Sequence, residues 1–75
     1  MAKLPRNVSG REVVQALKRA GFIFVRKSKK GHFILAKGET VISVPDHRNL
    51  KTGTLRQIVR EAGLTVEEFT DLLAR

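Results

Sequence analysis

Three times in this chain a serine or threonine stands three residues ahead of a glutamate or glutamine: Ser9–Glu12, Thr54–Gln57 and Thr65–Glu68. This is the spacing of a capping box, in which hydroxyl and carboxylate (or amide) satisfy backbone N–H groups that a helix start leaves without partners. Each cap stabilises its helix by about 1 kcal/mol, so three such boxes predict three helix starts. Apolar residues at the spacing of one helix face follow each box. Val13, Ala16, Leu17 and Ala20 follow the first, with Gly21 as the stop; Leu55, Ile58, Val59 and Ala62 follow the second, with Gly63 as the stop. Val66, Phe69, Leu72 and Leu73 follow the third. Between the first two helices lie three segments rich in strand formers, "FIFVRKS" (22–28), "HFILAK" (32–37) and "TVISVP" (40–45). "KKG" and "GE" between them are short enough to be hairpin turns. The predicted order is helix, three antiparallel strands, helix, helix, an α+β arrangement in which the helices cover one face of the sheet. "DHRNLKTG" (46–53) remains as a loop, with Asp46 and Asn49 as turn formers.

A chain of 75 residues suffices for one domain, residues 1–75, around one small core. Such a core leaves little room for a deep catalytic cavity, so chemistry is expected on an exposed groove. There is no cysteine, which excludes disulfides and thiolate metal sites. The two histidines and scattered acids show no ligand spacing, so neither a metal nor a cofactor is expected. No apolar run approaches the roughly 18 residues of a membrane span. The start, "MAKLPRNVSG", lacks a secretory apolar stretch, so a cytoplasmic protein without a membrane partner is expected.

Charge narrows the choice of partner. Fifteen Lys and Arg stand against seven Asp and Glu, a net charge of +8. Ten of the fifteen cations lie in residues 1–37, where the only acid is Glu12. A basic half of this kind points to a polyanion, with RNA or DNA ahead of a membrane. Phe22, Phe24, Phe33 and Phe69 are the only aromatics, and all four sit among aliphatics as core residues do. A stacking platform for single-stranded bases is therefore not expected.

Two stretches could carry chemistry. His32 begins the second strand beside Gly31 and the Lys29–Lys30 pair. It shares a face with Ile34 and Ala36, while Phe33 and Leu35 point the other way; both sets are apolar, so alternation leaves open which face meets solvent. His32 reads either as a solvated strand-end residue or as an acid/base group on RNA. In the second case a ribose 2′-OH attacks its own 3′-phosphate, and imidazole is suited to remove that proton or to protonate the leaving 5′-oxygen. Arg26, Lys29 and Lys30 would stabilise the added negative charge. Cations beside the ring disfavour imidazolium and favour the base role. No metal is needed for this reaction. The second stretch, "VPDHRNLKTGTLRQIV" (44–59), joins a strand to a helix and carries His47, Arg48, Lys51 and Arg56. Cations at a helix N-terminus suit phosphate, although a plain turn and cap explains the same residues. His47 reads as a second acid/base or as a residue that holds the loop in shape. The acidic residues Glu67, Glu68 and Asp71 of the last helix are expected to face solvent away from nucleic acid.

"SGREVVQALKRAGF", the basic turn into "GH", and "VPDHRNLKTGTLRQIVREAGLTVEEF" together resemble the HicA (YcfA-like) toxin family, in order and from Ser9 to Leu73. The block "VP.H…L..GTLR.I….AGL" is the most specific part. The resemblance implies a fold like the double-stranded RNA-binding domain, α-β-β-β-α, with an added C-terminal helix. It also implies a metal-independent endoribonuclease, an mRNA interferase acting during growth arrest, neutralised by a HicB-type antitoxin that covers the active surface. The family's catalytic histidine lies in a Gly-Ser-His motif at the start of the second strand. Lys30-Gly31-His32 matches it here, so the histidine is present and the preceding glycine and serine are not in register.

The leading expectation is thus a toxin endoribonuclease with His32 as general base or acid and Arg26, Lys29, Lys30, Lys51 and Arg56 as phosphate contacts. The alternative is a non-catalytic double-stranded RNA-binding module on the same fold, gripping A-form RNA by shape and phosphate contacts, in which Lys51 and Arg56 matter most. A pure protein-interaction domain would leave the basic half without a role. The sequence leaves RNA preference and oligomeric state open.

Overall fold

A computed structural model describes residues 3–75. Its elements are α1 (Gly10–Arg19), β1 (Ile23–Lys27), β2 (His32–Lys37), β3 (Thr40–Pro45), α2 (Thr52–Glu61) and α3 (Val66–Ala74). The strands form an antiparallel sheet in the order β1-β2-β3. This is the expected α+β, double-stranded-RNA-binding-domain-like order with a third helix. α1 crosses all three strands, α2 lies against β3, and α3 packs on α1 and α2. Helices therefore cover one face and leave the other open.

The covered face is built by alternation. Leu35, Ile42 and Val44 of the sheet meet Val13, Leu17 and Leu55 of the helices, all at most 1% exposed. Phe69 of α3 closes this core from behind and is fully buried. Arg19 ties α3 to α1 by donating to the Leu72 carbonyl at 2.7 Å. Lys37 donates to the Ala20 carbonyl at 2.8 Å, placing a cation on the C-terminal end of α1, where the helix dipole favours it.

Two capping boxes form as their spacing predicts. Ser9 and Glu12 exchange hydrogen bonds of 3.1 Å each way, and Thr65 and Glu68 do so at 3.0 and 2.8 Å. The middle one does not. α2 begins at Thr52, its N-cap is Lys51, and no side chain caps it. Thr54 already lies inside the first turn. The cause is tertiary: Leu50 is buried, and its N–H donates to the Val8 carbonyl at 2.8 Å, which pins the chain just ahead of Lys51. The Lys51 carbonyl then accepts from Leu55 at 3.0 Å and starts the helix. The expected loop 46–53 accordingly loses Thr52 and Gly53 to α2.

β1 contains a second departure. The ladder runs Ile23↔Ala36, Phe24↔Leu35, then Arg26↔Ile34 and Lys27↔Phe33, so Val25 is an extra residue in a β-bulge. Without the slip Arg26 would share a face with Phe24. With it, Arg26 moves to the open face and Lys27 to the covered side, 5.2 Å from the Phe33 ring centre. The expectation that all four phenylalanines are core residues holds for Phe22 and Phe69 and fails for Phe24, which is 41% exposed. β1 is an edge strand and α1 leaves its rim uncovered, so Phe24 packs edge-on against half-buried Phe33, with ring centres 6.3 Å apart.

Candidate functional site

The register fixes which side chains share the open face. The turn at Gly38–Glu39 closes Lys37 against Thr40, so Ile34 stands opposite Ser43 and His32 opposite Pro45. Directly opposed residues point the same way. Arg26, Ile34 and Ser43 therefore form one row across the three strands, and His32 and Pro45 form the row beyond it. His32 is on the open face and half-buried.

His32 is held at two points. Its backbone N–H donates to Ser28 Oγ at 3.1 Å, and its carbonyl accepts from the Ser28 N–H at 2.8 Å. Ser28 opens the four-residue turn that carries Lys29 and Lys30, and Gly31 closes it with φ +84°, a conformation that side chains resist. The ring of His32 is held from β3, with Nδ1 3.0 Å from Ser43 Oγ. No hydrogen bond engages Nε2 among the described residues.

The imidazole borders a groove of about 360 Å³ between β3 and α2. His32, Ser43 and Pro45 line it from the sheet, and Thr54, Gln57 and Glu61 line it from the helix. Thr54 comes from the first turn of α2 and Glu61 is its last residue, so the groove runs the length of the helix. Thr54, free of the capping duty expected of it, lines this groove. Glu61 makes the far end unfavourable for phosphate. A second hollow of about 270 Å³, lined by Arg11, Lys18, Phe24 and Phe33, lies between α1 and the rim of β1 on the covered side, away from His32.

The other expected phosphate contacts divide into two groups. Arg26 shares the face of His32, and Lys29 and Lys30 lie in the exposed turn that leads into it. Lys51 sits at the uncapped start of α2, which has no acid in its first turn. Arg56 does not line the groove; it borders an adjoining hollow on α2 with Gly53 and Arg60, which shares Gln57 and Glu61 with the groove. His47 is exposed, and its backbone carbonyl accepts from the Gly10 N–H at 2.9 Å, so its main chain helps to join the loop to the start of α1. Glu67, Glu68 and Asp71 are exposed on α3, the helix that packs on α1 and α2.

Sequence reasoning missed three participants. Ser43 could have been found by counting back from the two-residue turn. Gln57 could not be placed without the true start of α2. Asp46, read as a turn former, is an electrostatic clamp: Oδ2 accepts from Lys27 Nζ at 2.9 Å, and Oδ1 lies 3.6 Å from Arg11 Nε. The Lys27 hydrogen bond, helped by the charges of Lys27 and Arg11, holds its carboxyl below the ordinary carboxylate range. Lys27 and Arg11 are thus engaged by an acid, whereas Arg26, Lys29 and Lys30 have no ion-pair partner among the described residues. Among the described residues no three His, Cys, Asp or Glu side chains converge as a metal site, and no helix is long and apolar enough to cross a membrane.

Comparison with curated proteins gave no match. A family model described as the HicA toxin of bacterial toxin–antitoxin systems matches residues 10–64, from the first residue of α1 to the residue before the cap of α3. That span contains the whole sheet, both hairpin turns, the groove and every expected site residue, and the chain belongs to the HicA toxin family of toxin–antitoxin systems.

Proposed function

We propose that this toxin is an endoribonuclease acting on mRNA, with His32 as the proton-transfer group. The observation that carries this reading is the placement of His32: an imidazole held by one nitrogen, with the other unengaged, on an open groove of the face that also carries Arg26. Nε2 takes the proton of a ribose 2′-OH, the 2′-oxygen attacks the adjacent phosphorus, and the 5′-oxygen leaves. The products are a 2′,3′-cyclic phosphate and a free 5′-hydroxyl, with no net change in protons once the leaving oxygen is protonated. Arg26, Lys29 and Lys30 stabilise the charge that builds on the phosphoryl oxygens. The chemistry requires no metal ion. An open groove, with no enclosed cavity around the histidine, suits a long flexible strand.

The test is incubation of purified protein with a long single-stranded RNA in excess EDTA, beside His32→Ala. Cleavage by the wild type and intact RNA with the variant is the expected result. Equal cleavage by both would remove His32 from the mechanism.

A second reading, a non-catalytic double-stranded RNA-binding module, is favoured by one observation: the first turn of α2 has no side-chain cap, carries no acid and begins at Lys51. Under this reading Lys51→Ala weakens binding to duplex RNA, and His32→Ala changes neither binding nor growth inhibition.

As the toxin of a two-component system, the protein has an antitoxin partner, and we take it to be of the HicB type. The open face supports an antitoxin that covers the site, because it exposes Val41 (62%) in the groove of His32 and Ile23 (70%) across the sheet on the edge strand. Apolar area of this kind is the usual centre of a protein interface.

A further inference from the structure

Neutral imidazole carries its proton on one nitrogen and a lone pair on the other, and the hydrogen bond made by one nitrogen decides the state of its partner. The 3.0 Å contact between His32 Nδ1 and Ser43 Oγ allows two arrangements, because a hydroxyl both donates and accepts. If Ser43 donates, the lone pair is engaged at Nδ1 and Nε2 carries the hydrogen, so the ring cannot accept a proton from a ligand in the groove. If Nδ1–H donates to Ser43, the lone pair sits on Nε2. In that form Nδ1–H is present both before and after Nε2 gains a proton, so only the second arrangement persists unchanged while Nε2 takes up a proton and gives it back.

The geometry points to Ser43 as a positioning residue that holds His32 in the Nδ1–H form and presents the Nε2 lone pair to the substrate, an inference that rests on the nuclease reading for its purpose. Three features of the fold hold Ser43 Oγ at Nδ1, and the base role of Nε2 selects the Nδ1–H arrangement. Ser43 lies on the middle of β3, where Ile34↔Ser43 pairing on one side and buried Ile42 and Val44 on either side fix its direction. The main chain of His32 is independently fixed by Ser28, so the ring has only its own torsions to settle, and Ser43 settles them. The turn ahead of the histidine offers no hydroxyl at its last two positions, Lys30 and Gly31. The hydroxyl at the ring comes instead from the neighbouring strand.

The experiment is long-range 1H–15N correlation of the imidazole nitrogens in the full chain, at a pH where the rings are neutral. The two histidines are separated by comparison with His32→Ala. Expected for His32 is a proton-bearing Nδ1 and a lone-pair Nε2. In Ser43→Ala the ring moves toward the Nε2–H form, and Ser43→Thr, which keeps a hydroxyl on a strand-favouring residue, retains the wild-type pattern. On RNA, Ser43→Ala lowers kcat by roughly tenfold to a hundredfold with KM little changed, the scale expected from misplacing a reacting group; Ser43→Thr restores it. An Nε2–H ring in the wild type, or a tautomer unaltered in Ser43→Ala, overturns the inference. Should the wild-type protein leave RNA intact, the nuclease reading fails, and the spectra still decide what Ser43 does to the ring.

Discussion

The two faces of this sheet are made from the same three strands, and they obey opposite rules. On the covered face, Leu35, Ile42 and Val44 are at most 1% exposed and meet helices. On the open face, residues one step along the same strands include His32, Arg26 and Ser43, set among Ile23 and Val41 that nothing covers. One face holds its shape through packing, and the other carries polar groups whose positions that packing fixes. A small domain without room for an enclosed active site can thus hold a histidine firmly: the strand is anchored from behind and the ring from the side.

The sharpest way to break this comparison is to mutate the two faces of one strand. His32→Ala is expected to reduce RNA cleavage by about 10²- to 10⁴-fold, the usual contribution of a positioned acid/base, with an urea midpoint close to wild type. Leu35→Ala, three residues along, should do the reverse in kind: a loss of about 2–5 kcal/mol in stability, read by urea unfolding, enough to threaten the fold of so small a domain. If His32→Ala unfolds the protein, the open face is structural after all. Ile23→Asp extends the contrast to the partner. It should weaken capture of the antitoxin while leaving cleavage intact, since Ile23 is 70% exposed and lies on the edge strand. Retained capture in a pull-down would place the antitoxin elsewhere.

Smaller effects separate the two helix starts that looked alike in the sequence. Thr65→Ala should cost about 1 kcal/mol, and Thr54→Ala should fall well below that, because only Thr65 caps a helix. Thermal melts of both variants give the answer directly. The smallest effect concerns Asp46. Its carboxyl is held below the usual range by Lys27 and Arg11, so its contribution to stability is present above the ordinary carboxylate pKa and disappears as pH falls through the lowered value. Asp46→Asn should therefore melt below wild type near neutrality, and the two proteins should converge in acid once the pH has fallen below the lowered value. A gap that stays constant across that range would mean the clamp acts through shape and not charge.

How far the sequence reveals these features depends on how local their causes are. The boxes at Ser9 and Thr65 are local, and the helices begin where they predict. The three strands come out within a residue at each end, because β-formers and two short turns delimit them. The box at Thr54 fails because Leu50, anchored to Val8 forty-two positions earlier, decides where α2 begins. The bulge at Val25 has no signature in "FIFVRKS", yet it alone puts Arg26 on the face of the histidine. His32 was visible as a residue, and its face was not, since Ile34 and Ala36 are as apolar as Phe33 and Leu35. The Lys30-Gly31-His32 stretch showed where a hydroxyl was lacking. The strand pairing shows that Ser43 comes within reach of the ring.

Gly10 bears on this site from outside it. A Cβ there would collide with the Pro45 carbonyl, and its N–H already donates to the His47 carbonyl at 2.9 Å. Pro45 is the residue that faces His32 across the sheet. The first residue of α1 is therefore a spacer of zero width, and any side chain inserted there would be transmitted through the end of β3 to the imidazole. Of all positions outside the groove, this one lets a change of a single methyl group act as a gauge of how exactly the histidine must be placed.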